Sequence, residues 1–391
     1  MEPENDEIAD EFTDRVAEQF TLDPDVVHLN HGAYGTVPRA VQDAQQRLRL
    51  AAEANPHRFH KVLAPQGIVA ARAAAAEFLG LTADTVVLMR NVTEAIATVL
   101  ASLHLRSGDE LVVSDHGYGA VRLATQAWCD RTGARLMVAE VPLDGGPDEA
   151  AAAFESVLSS RTRLVVVDHI TSPTGLVLPV ESIAAAARGH GSAVFVDAAH
   201  VPGQLESQPA TSGADFWVGN MHKWAFAARG TAAVWISEEW RERIHPLVTG
   251  WNHGQPFPLP FDARGTDDLS AWMCLPQALD TWSDLGGWTI PKRNAGMVDA
   301  GLDLVADALG TTPPPTGLSA APALRLLPLP YGVAADAVAA EDLYERLSQQ
   351  YRIETLVLAW DGRGFIRLTA QLYNTPSDYR RLARALLAIT A

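Results

Sequence analysis

Between residues 85 and 237 the sequence repeatedly alternates a short apolar run with a segment of helical character. The predicted strands are residues 85–89, 110–114, 135–141, 163–170, 192–200, 214–219 and 230–237. The predicted helices among them are residues 93–104, 120–133, 148–160 and 181–191. The strands are continuous apolar runs rather than alternating ones, which is typical of strands that helices cover on both faces. This order predicts an α/β fold with a mainly parallel sheet and right-handed crossovers.

Different patterns flank this central region. On the N-terminal side, the sequence predicts an acidic arm at 1–20, a short strand and loop within 26–38, and helices at 38–54 and 66–79. On the C-terminal side, it predicts a Gly/Pro-rich loop at 250–268, helices near 269–285 and 291–309, and a linker at 311–317. A small α+β unit then closes the chain, with an apolar run at 323–329, a helix at 339–351, strands at 352–359 and 364–370, and a helix at 376–389.

These changes of pattern divide the chain into three predicted parts. Residues 1–25 form an N-terminal arm, residues 26–285 a large domain, and residues 286–391 a small C-terminal domain. The N-terminal segment is also a candidate to pack with the small domain.

Composition and charge narrow the class of protein. The formal net charge is −17 and the basic residues are scattered, which argues against nucleic acid or an anionic membrane as a partner. The two cysteines, Cys129 and Cys274, are far apart and show no metal-like spacing, so neither a disulfide scaffold nor a metal site is predicted. The N-terminus lacks an apolar signal region, and no apolar run is long enough to span a membrane. We therefore expect a soluble cytoplasmic protein.

Polar residues cluster where the predicted strands end. The clusters are at residues 91–96, 115–118, 168–175, 196–200 and 219–223. In open parallel sheets, ligands bind beyond the carboxyl ends of the strands. The clusters therefore predict a single site at that edge of the sheet.

Lys223 and Asp197 are the two residues in these clusters that carry the most specific chemistry. Asp197 ends an apolar strand, where a carboxylate is costly unless a cation meets it, although it could instead cap the next helix. Lys223 lies on the turn between two apolar strands, where it could be a surface lysine or an amine that forms a Schiff base. A lysine that forms an imine and a carboxylate that holds a pyridinium protonated are what pyridoxal 5'-phosphate (PLP) chemistry requires.

Thr93 opens the helix predicted at 93–104. The free N–H groups and positive dipole of such a helix start favour a phosphate dianion, although Thr93 could equally be an ordinary helix cap. No GxGxxG or GxxxxGK[ST] pattern lies in a suitable context, so nicotinamide and nucleoside triphosphate sites are less favoured.

With these residues, the sequence resembles the class V, fold-type I PLP-dependent enzymes over nearly its whole length. Within that family it is similar to the isopenicillin N epimerase-like branch and the related ergothioneine C–S lyases. The segments that carry the resemblance are LNHGAYGTVPRAV (29–41), NVTEAI (91–96), SPTGLVLP (172–179), VDAAHVPGQL (196–205), GADFWVGNMHKW (213–224) and IRLTAQLYNTPSDYRRLARAL (366–386).

The resemblance implies a role for each matching residue. Lys223 would be the catalytic Schiff-base lysine and Asp197 the partner of the pyridine nitrogen. The implied cofactor-binding positions are Val92, Thr93, Tyr118, Ser172, Asp197, His200, Asn220, His222, Lys223, Gly265 and Thr266. His200 would contact the phenolic oxygen, Tyr118 would stack on the ring with His116 as second choice, and Gly265 and Thr266 would reach across from a second subunit. Arg367 and Asn30 would bind the substrate, with Arg367 on its carboxylate.

The resemblance further implies a homodimer that acts on a small amino-acid-like molecule through a Lys223 aldimine and a quinonoid. Epimerisation, C–S cleavage and transamination share that first step, and the epimerase-like motifs favour epimerisation. Desulfuration through a persulfide is rejected because residues 318–391 contain no cysteine. Ser172 stands where desulfurases carry Asn, as in epimerase-like members. A binding protein that has lost catalysis is the alternative from another class, although the presence of Lys223, Asp197 and Arg367 argues against it.

Overall fold

The structure is a computed structural model that describes residues 15–390. Its strands are β1 (Val27–His28), β2 (Val86–Met89), β3 (Glu110–Ser114), β4 (Arg135–Ala139), β5 (Thr162–Asp168), β6 (Ala193–Asp197), β7 (Phe216–Asn220), β8 (Ala232–Ile236), β9 (Leu324–Pro328), β10 (Ile353–Glu354), β11 (Leu356–Trp360) and β12 (Arg363–Thr369). The longer helices are Arg39–Ala54, Ala64–Phe78, Val92–Ser102, Gly119–Thr132, Pro147–Glu155, Val180–Gly189, Leu275–Asp284, Thr289–Leu309, Ala337–Tyr351 and Pro376–Thr390.

The centre of the fold is a seven-stranded sheet in the order β2-β8-β7-β6-β5-β3-β4. Every residue of the inner strands β6, β7 and β8 is buried, as the continuous apolar runs predict. β8 runs antiparallel to both of its neighbours, β2 and β7, and the other pairs in this sheet are parallel. The reason is the connection, since residues 221–231 contain no helix and a return to parallel pairing needs a longer crossover. The predicted α/β class with a mainly parallel sheet is confirmed.

Two predicted elements differ from the structure. The helix expected at 269–285 is divided into Ser270–Met273 and Leu275–Asp284, because Pro276 has no N–H to continue the hydrogen-bond pattern. The strand expected at 352–359 is two strands, β10 and β11, that pair with different partners on either side of Thr355.

The C-terminal part forms an antiparallel sheet in the order β11-β12-β9, and β1 from near the N-terminus pairs in parallel with β10. Val27 and Leu29 share one buried apolar cluster with the helices of this part. The domain limits at 1–25, 26–285 and 286–391 remain a prediction.

The predicted acidic arm lies largely outside the described residues. Its last part is described, and there Val16 and Phe20 are buried against Phe226 and Trp282. Among the helices within residues 15–390, none has the length and apolar character needed to cross a membrane.

Candidate functional site

A cavity of about 290 Å³ opens at the carboxyl edge of the large sheet. The predicted site residues that line it are Asn30, Val92, Thr93, Tyr118, Ser172, Asp197, His200, Asn220, His222, Lys223 and Arg367. Of the predicted residues, Gly265 and Thr266 do not line it. Four other cavities among the described residues are larger, from about 500 to 1000 Å³, but none of the four is lined by a lysine.

Asp197 is buried at the end of β6. Its Oδ1 accepts a hydrogen bond from the Ala199 N–H at 3.0 Å, whereas its Oδ2 is buried without a hydrogen-bond partner among the described residues. Burial raises the pKa of this carboxyl to about 6, and the Ala199 N–H and the nearby Lys223 oppose that rise. A buried carboxylate oxygen without a donor is costly, so the site is complete only when a donor or cation reaches Oδ2.

Asp168 is a second buried carboxyl in the cavity, and sequence reasoning gave it no role. It ends β5 and is paired in register with Asp197 on β6. Its Oδ1 accepts a hydrogen bond from the Tyr118 N–H at 3.3 Å. Burial, followed by the neighbouring Asp197, raises its pKa well above the usual value. Its place in the 168–175 polar cluster was the available signal.

Lys223 lies on the turn after β7, and its Nζ is 3.0 Å from Nε2 of His200. The side chain is buried, and this burial lowers the pKa of the amine from its usual range to about 7, although Asp197 raises it. A substantial fraction of the amine is therefore neutral near pH 7, and only the neutral amine is a nucleophile or a base.

The start of the Val92–Ser102 helix faces the same cavity. Asn91, not Thr93, is its N-cap and accepts from the Glu94 N–H at 2.9 Å, so the expectation that Thr93 opens or caps the helix is wrong. Asn91 takes that place because its side chain precedes the first helical residue, Val92, and can reach the free N–H groups. Thr93 lies in the first turn, where the helix dipole favours an anion.

Asn220 and His222 line the same cavity as this helix start. Asn220 Oδ1 accepts from the Val92 N–H at 3.1 Å, which joins the end of β7 to the helix. His222 Nδ1 donates to the Thr231 carbonyl at 3.0 Å, and burial lowers the pKa of the imidazole to about 4. A bound dianion would oppose that shift and favour the protonated ring.

Arg367 is a buried arginine on β12. Its Nη2 donates to Asn30 Oδ1 at 2.7 Å and its Nη1 donates to the Ser172 carbonyl, while its Nε is buried without an acceptor in the part of the chain that the structure describes. Burial lowers the pKa of the guanidinium to about 10, so it stays charged. No carboxylate within residues 15–390 forms an ion pair with it. A buried cation of this kind is suited to bind an incoming carboxylate.

Of the two candidates predicted to stack on the ring, only one lines the cavity. Tyr118 lines the cavity with 43% of its surface exposed. His116 does not line it, because its ring nitrogens bond to Thr174 Oγ1 at 2.8 Å and the Val141 carbonyl at 2.9 Å. Tyr34, which sequence reasoning missed, is 75% exposed and also lines the cavity. Its position in the LNHGAYG segment was the available signal.

Gly265 and Thr266 lie between two ion-paired residues. Arg264 pairs with Glu94 in the Val92–Ser102 helix, and Asp267 pairs with Arg90 just before that helix. These ion pairs hold the segment next to the start of the Val92–Ser102 helix in the same chain, where a phosphate is favoured. Neither Gly265 nor Thr266 lines the cavity of that chain. Their role toward a second subunit remains a prediction.

The chain is similar to known proteins over nearly its whole length. The family model for Aminotransferase class-V matches residues 27–311. An isopenicillin N epimerase of Streptomyces clavuligerus is 30% identical, covering 95% of this chain and 97% of the relative. A putative L-cysteine desulfhydrase of Oryza sativa subsp. japonica is also 30% identical, covering 94% of this chain and 83% of the relative. A solved C-DES variant with glycine covalently linked to its PLP cofactor has a TM-score of 0.77 and 22% identity, covering 95% of this chain and 98% of that chain.

Proposed function

Because this chain belongs to the class-V aminotransferase family, we propose that it is a PLP-dependent enzyme that removes the α-proton of an amino-acid-like substrate and epimerises it. One observation carries the proposal. A neutralisable buried amine (Lys223), a carboxylate oxygen without a donor (Asp197) and a guanidinium without an anionic partner (Arg367) share one cavity.

The residues present fit PLP. The unpartnered Oδ2 of Asp197 would face a protonated ring nitrogen, and the first turn of the Val92–Ser102 helix would hold the phosphate with Asn220 and His222. When bound, PLP supplies an aldehyde carbon for an amine and a protonated ring that accepts electron density from the substrate α-carbon.

The residues of this chain have separate roles in the reaction. Arg367 holds the substrate carboxylate by a two-pronged contact, and its hydrogen bonds to Asn30 and the Ser172 carbonyl fix the position of the guanidinium. The Lys223 amine removes the proton at the α-carbon, and Asp197 keeps the ring nitrogen protonated while negative charge develops. Return of a proton from solvent to the opposite face of the α-carbon completes epimerisation.

Room beside the cavity supports a substrate larger than cysteine. A neighbouring cavity of about 500 Å³ shares four lining residues with the first, namely Asn30, Ala33, Tyr34 and Leu356. A long side chain attached to the α-carbon could extend into it. This favours a bulky amino acid as the substrate.

C–S cleavage is the second candidate, because the L-cysteine desulfhydrase relative and the epimerase relative are both 30% identical to this chain. It would use the same Lys223, Asp197 and Arg367 and differ only after proton removal, when a β-thiolate leaves. Transamination would differ by protonation at the cofactor instead.

We also propose a homodimer in which Gly265 and Thr266 approach the cofactor bound to the other chain. Leu247, Val248 and Trp251 near this segment are exposed, with 96% of Trp251 accessible. Exposed apolar residues of this kind are typical of a protein–protein interface.

Incubation with candidate L-amino acids and cysteine S-conjugates in deuterated water tests the reaction. Epimerisation is expected to give α-deuterated substrate of both configurations. Release of pyruvate with a thiol would instead establish C–S cleavage, and a keto acid of unchanged side chain would establish transamination.

The Lys223→Ala variant is the control for these assays, because it lacks the proton-accepting amine. It is expected to incorporate no deuterium. The proposal fails if every substrate is recovered without α-deuterium or product, or if Lys223→Ala exchanges the α-proton as fast as the parent chain.

A further inference from the structure

Trp224, the residue after Lys223, donates a hydrogen bond inside the site. Its indole Nε1 lies 3.3 Å from Nδ1 of His200, and 1% of Trp224 is exposed. An indole N–H can only donate, so Nδ1 of His200 must present its lone pair. In a neutral imidazole the proton is then on Nε2.

That proton faces the catalytic amine. Nε2 of His200 is 3.0 Å from Nζ of Lys223, and a protonated Nε2 can only donate across this distance. A neutral amine accepts the hydrogen bond through its lone pair. An ammonium group has no lone pair, so one of its N–H groups and the Nε2–H of His200 would face each other and repel.

We propose that Trp224 is a positioning residue that fixes the Nε2–H tautomer of His200 and thereby keeps Lys223 as a free amine. The inference rests on the proposed function and deepens it, because it assigns a task to the tryptophan of the HKW segment. When PLP is bound, the same N–H remains available to an anionic oxygen.

Residues of the LNHG segment hold the indole in place. The His31 ring centroid is 4.8 Å from that of Trp224, and His31 Nε2 donates to the Lys223 carbonyl at 3.0 Å. A Cβ added to Gly32 would lie 3.1 Å from Cζ2 of Trp224 and 3.2 Å from Cε1 of His200. Both distances are shorter than ordinary van der Waals contact, so the absence of a side chain at Gly32 lets the two rings meet.

Other charged groups also act on the Lys223 amine. Burial lowers its pKa most, Asp197 and Asp168 raise it, and Arg367 lowers it. Burial lowers the pKa of His200 well below its usual value, and Lys223, Arg367, His222 and His31 act in the same direction. These groups stay in place when only the indole N–H is removed, so the effect of Trp224 can be measured separately.

The wild-type protein tests the tautomer directly. In the full-length chain labelled with ¹⁵N-histidine, with the His200 signals assigned by their loss in His200→Gln, Nε2 is expected to carry the proton and Nδ1 to show an acceptor shift. A proton on Nδ1 would overturn the inference, and this measurement needs no Trp224 variant to fold.

Trp224→Phe and Trp217→Phe form a matched pair of variants. Each removes a buried indole, but the Nε1 of Trp217 has no hydrogen-bond partner within residues 15–390. In the cofactor-depleted chain, the pH dependence of Lys223 acetylation by acetic anhydride, measured by peptide mass spectrometry, reports the pKa of the amine. Loss of one hydrogen bond should raise this midpoint by about half to one pH unit in Trp224→Phe only.

Equal midpoints in Trp224→Phe, Trp217→Phe and the parent chain would overturn the inference. They would leave the proposed function intact if α-deuterium exchange continued. Conversely, if the midpoint shifted in Trp224→Phe but the parent chain exchanged no α-proton, the role of Trp224 would be supported and the proposed reaction would be contradicted.

Discussion

At the scale of single residues, burial moves the pKa values of two groups of opposite charge close to neutral pH. Burial lowers the pKa of Lys223 to about 7 and raises that of Asp197 to about 6. Since a tenfold change in a proton-binding constant corresponds to about 1.4 kcal/mol, modest changes in the surroundings decide which group carries the proton.

We predict that Asp197→Asn lowers the rate of α-proton exchange by about 10²–10³-fold, because a neutral amide cannot hold the ring nitrogen protonated. The amide oxygen can still accept from the Ala199 N–H, so the local fold and some cofactor binding should persist. Exchange rate and cofactor content are the measurements.

Asp215→Asn is the matched control for this prediction. Asp215 is also a buried carboxyl that accepts from a backbone N–H, that of Val194, but it does not line the cavity. It should leave the exchange rate unchanged. Unaltered exchange in Asp197→Asn would contradict the assigned role of Asp197.

Residue type and position were enough to single out Lys223 and Asp197, because a charge beside apolar strands is costly without a purpose, whereas Arg367 was reached only through the family resemblance. The same reasoning did not give a role to Asp168, although it lies beside Asp197 in register. Register between strands is set by long-range pairing, and no local pattern encodes it.

At the scale of elements, the sequence predicted the strands and helices well because both faces of the sheet are covered and the runs are continuous. It did not predict that β8 runs antiparallel, since strand direction depends on the connection rather than on the strand. It also placed the helix start at 93 rather than Val92, because the capping side chain of Asn91 decides the boundary.

The link between β7 and the helix gives a prediction at this scale. Asn220→Ala removes the acceptor of the buried Val92 N–H and should lower the free energy of unfolding by about 1–3 kcal/mol. Asn220→Asp keeps an acceptor but adds a negative charge beside the phosphate position. It should unfold at a higher denaturant concentration than Asn220→Ala, yet bind PLP more weakly than the parent chain.

Denaturant unfolding and PLP titration of both Asn220 variants check this. If both variants bind PLP as tightly as the parent chain, the phosphate is not held at this helix start.

At the scale of the whole molecule, the proposed second subunit accounts for residues that a single chain leaves unused. Gly265 and Thr266 lie outside their own cavity, and Trp251 nearby is exposed. Sequence reasoning reached this arrangement only through the family resemblance, because contacts between chains leave no periodic pattern in the sequence.

Co-expression of two defective chains tests the shared site. A dimer of a Lys223→Ala chain with a Thr266→Ala chain would contain one intact site, so α-proton exchange should recover above that of either variant alone. A dimer of Lys223→Ala with Asp197→Asn would carry one defect in each of its two sites and should recover nothing. Equal recovery in both pairs, or in neither, would contradict the shared site.

The most direct test of the central claim is borohydride reduction of the protein mixed with PLP, followed by peptide mass spectrometry. The account predicts a pyridoxyl group on the peptide that contains Lys223, lost in Lys223→Ala. Attachment should become faster as the pH rises through about 7, because the amine is neutral above its pKa. No attachment, or attachment to another lysine with Lys223 unmodified, would contradict it.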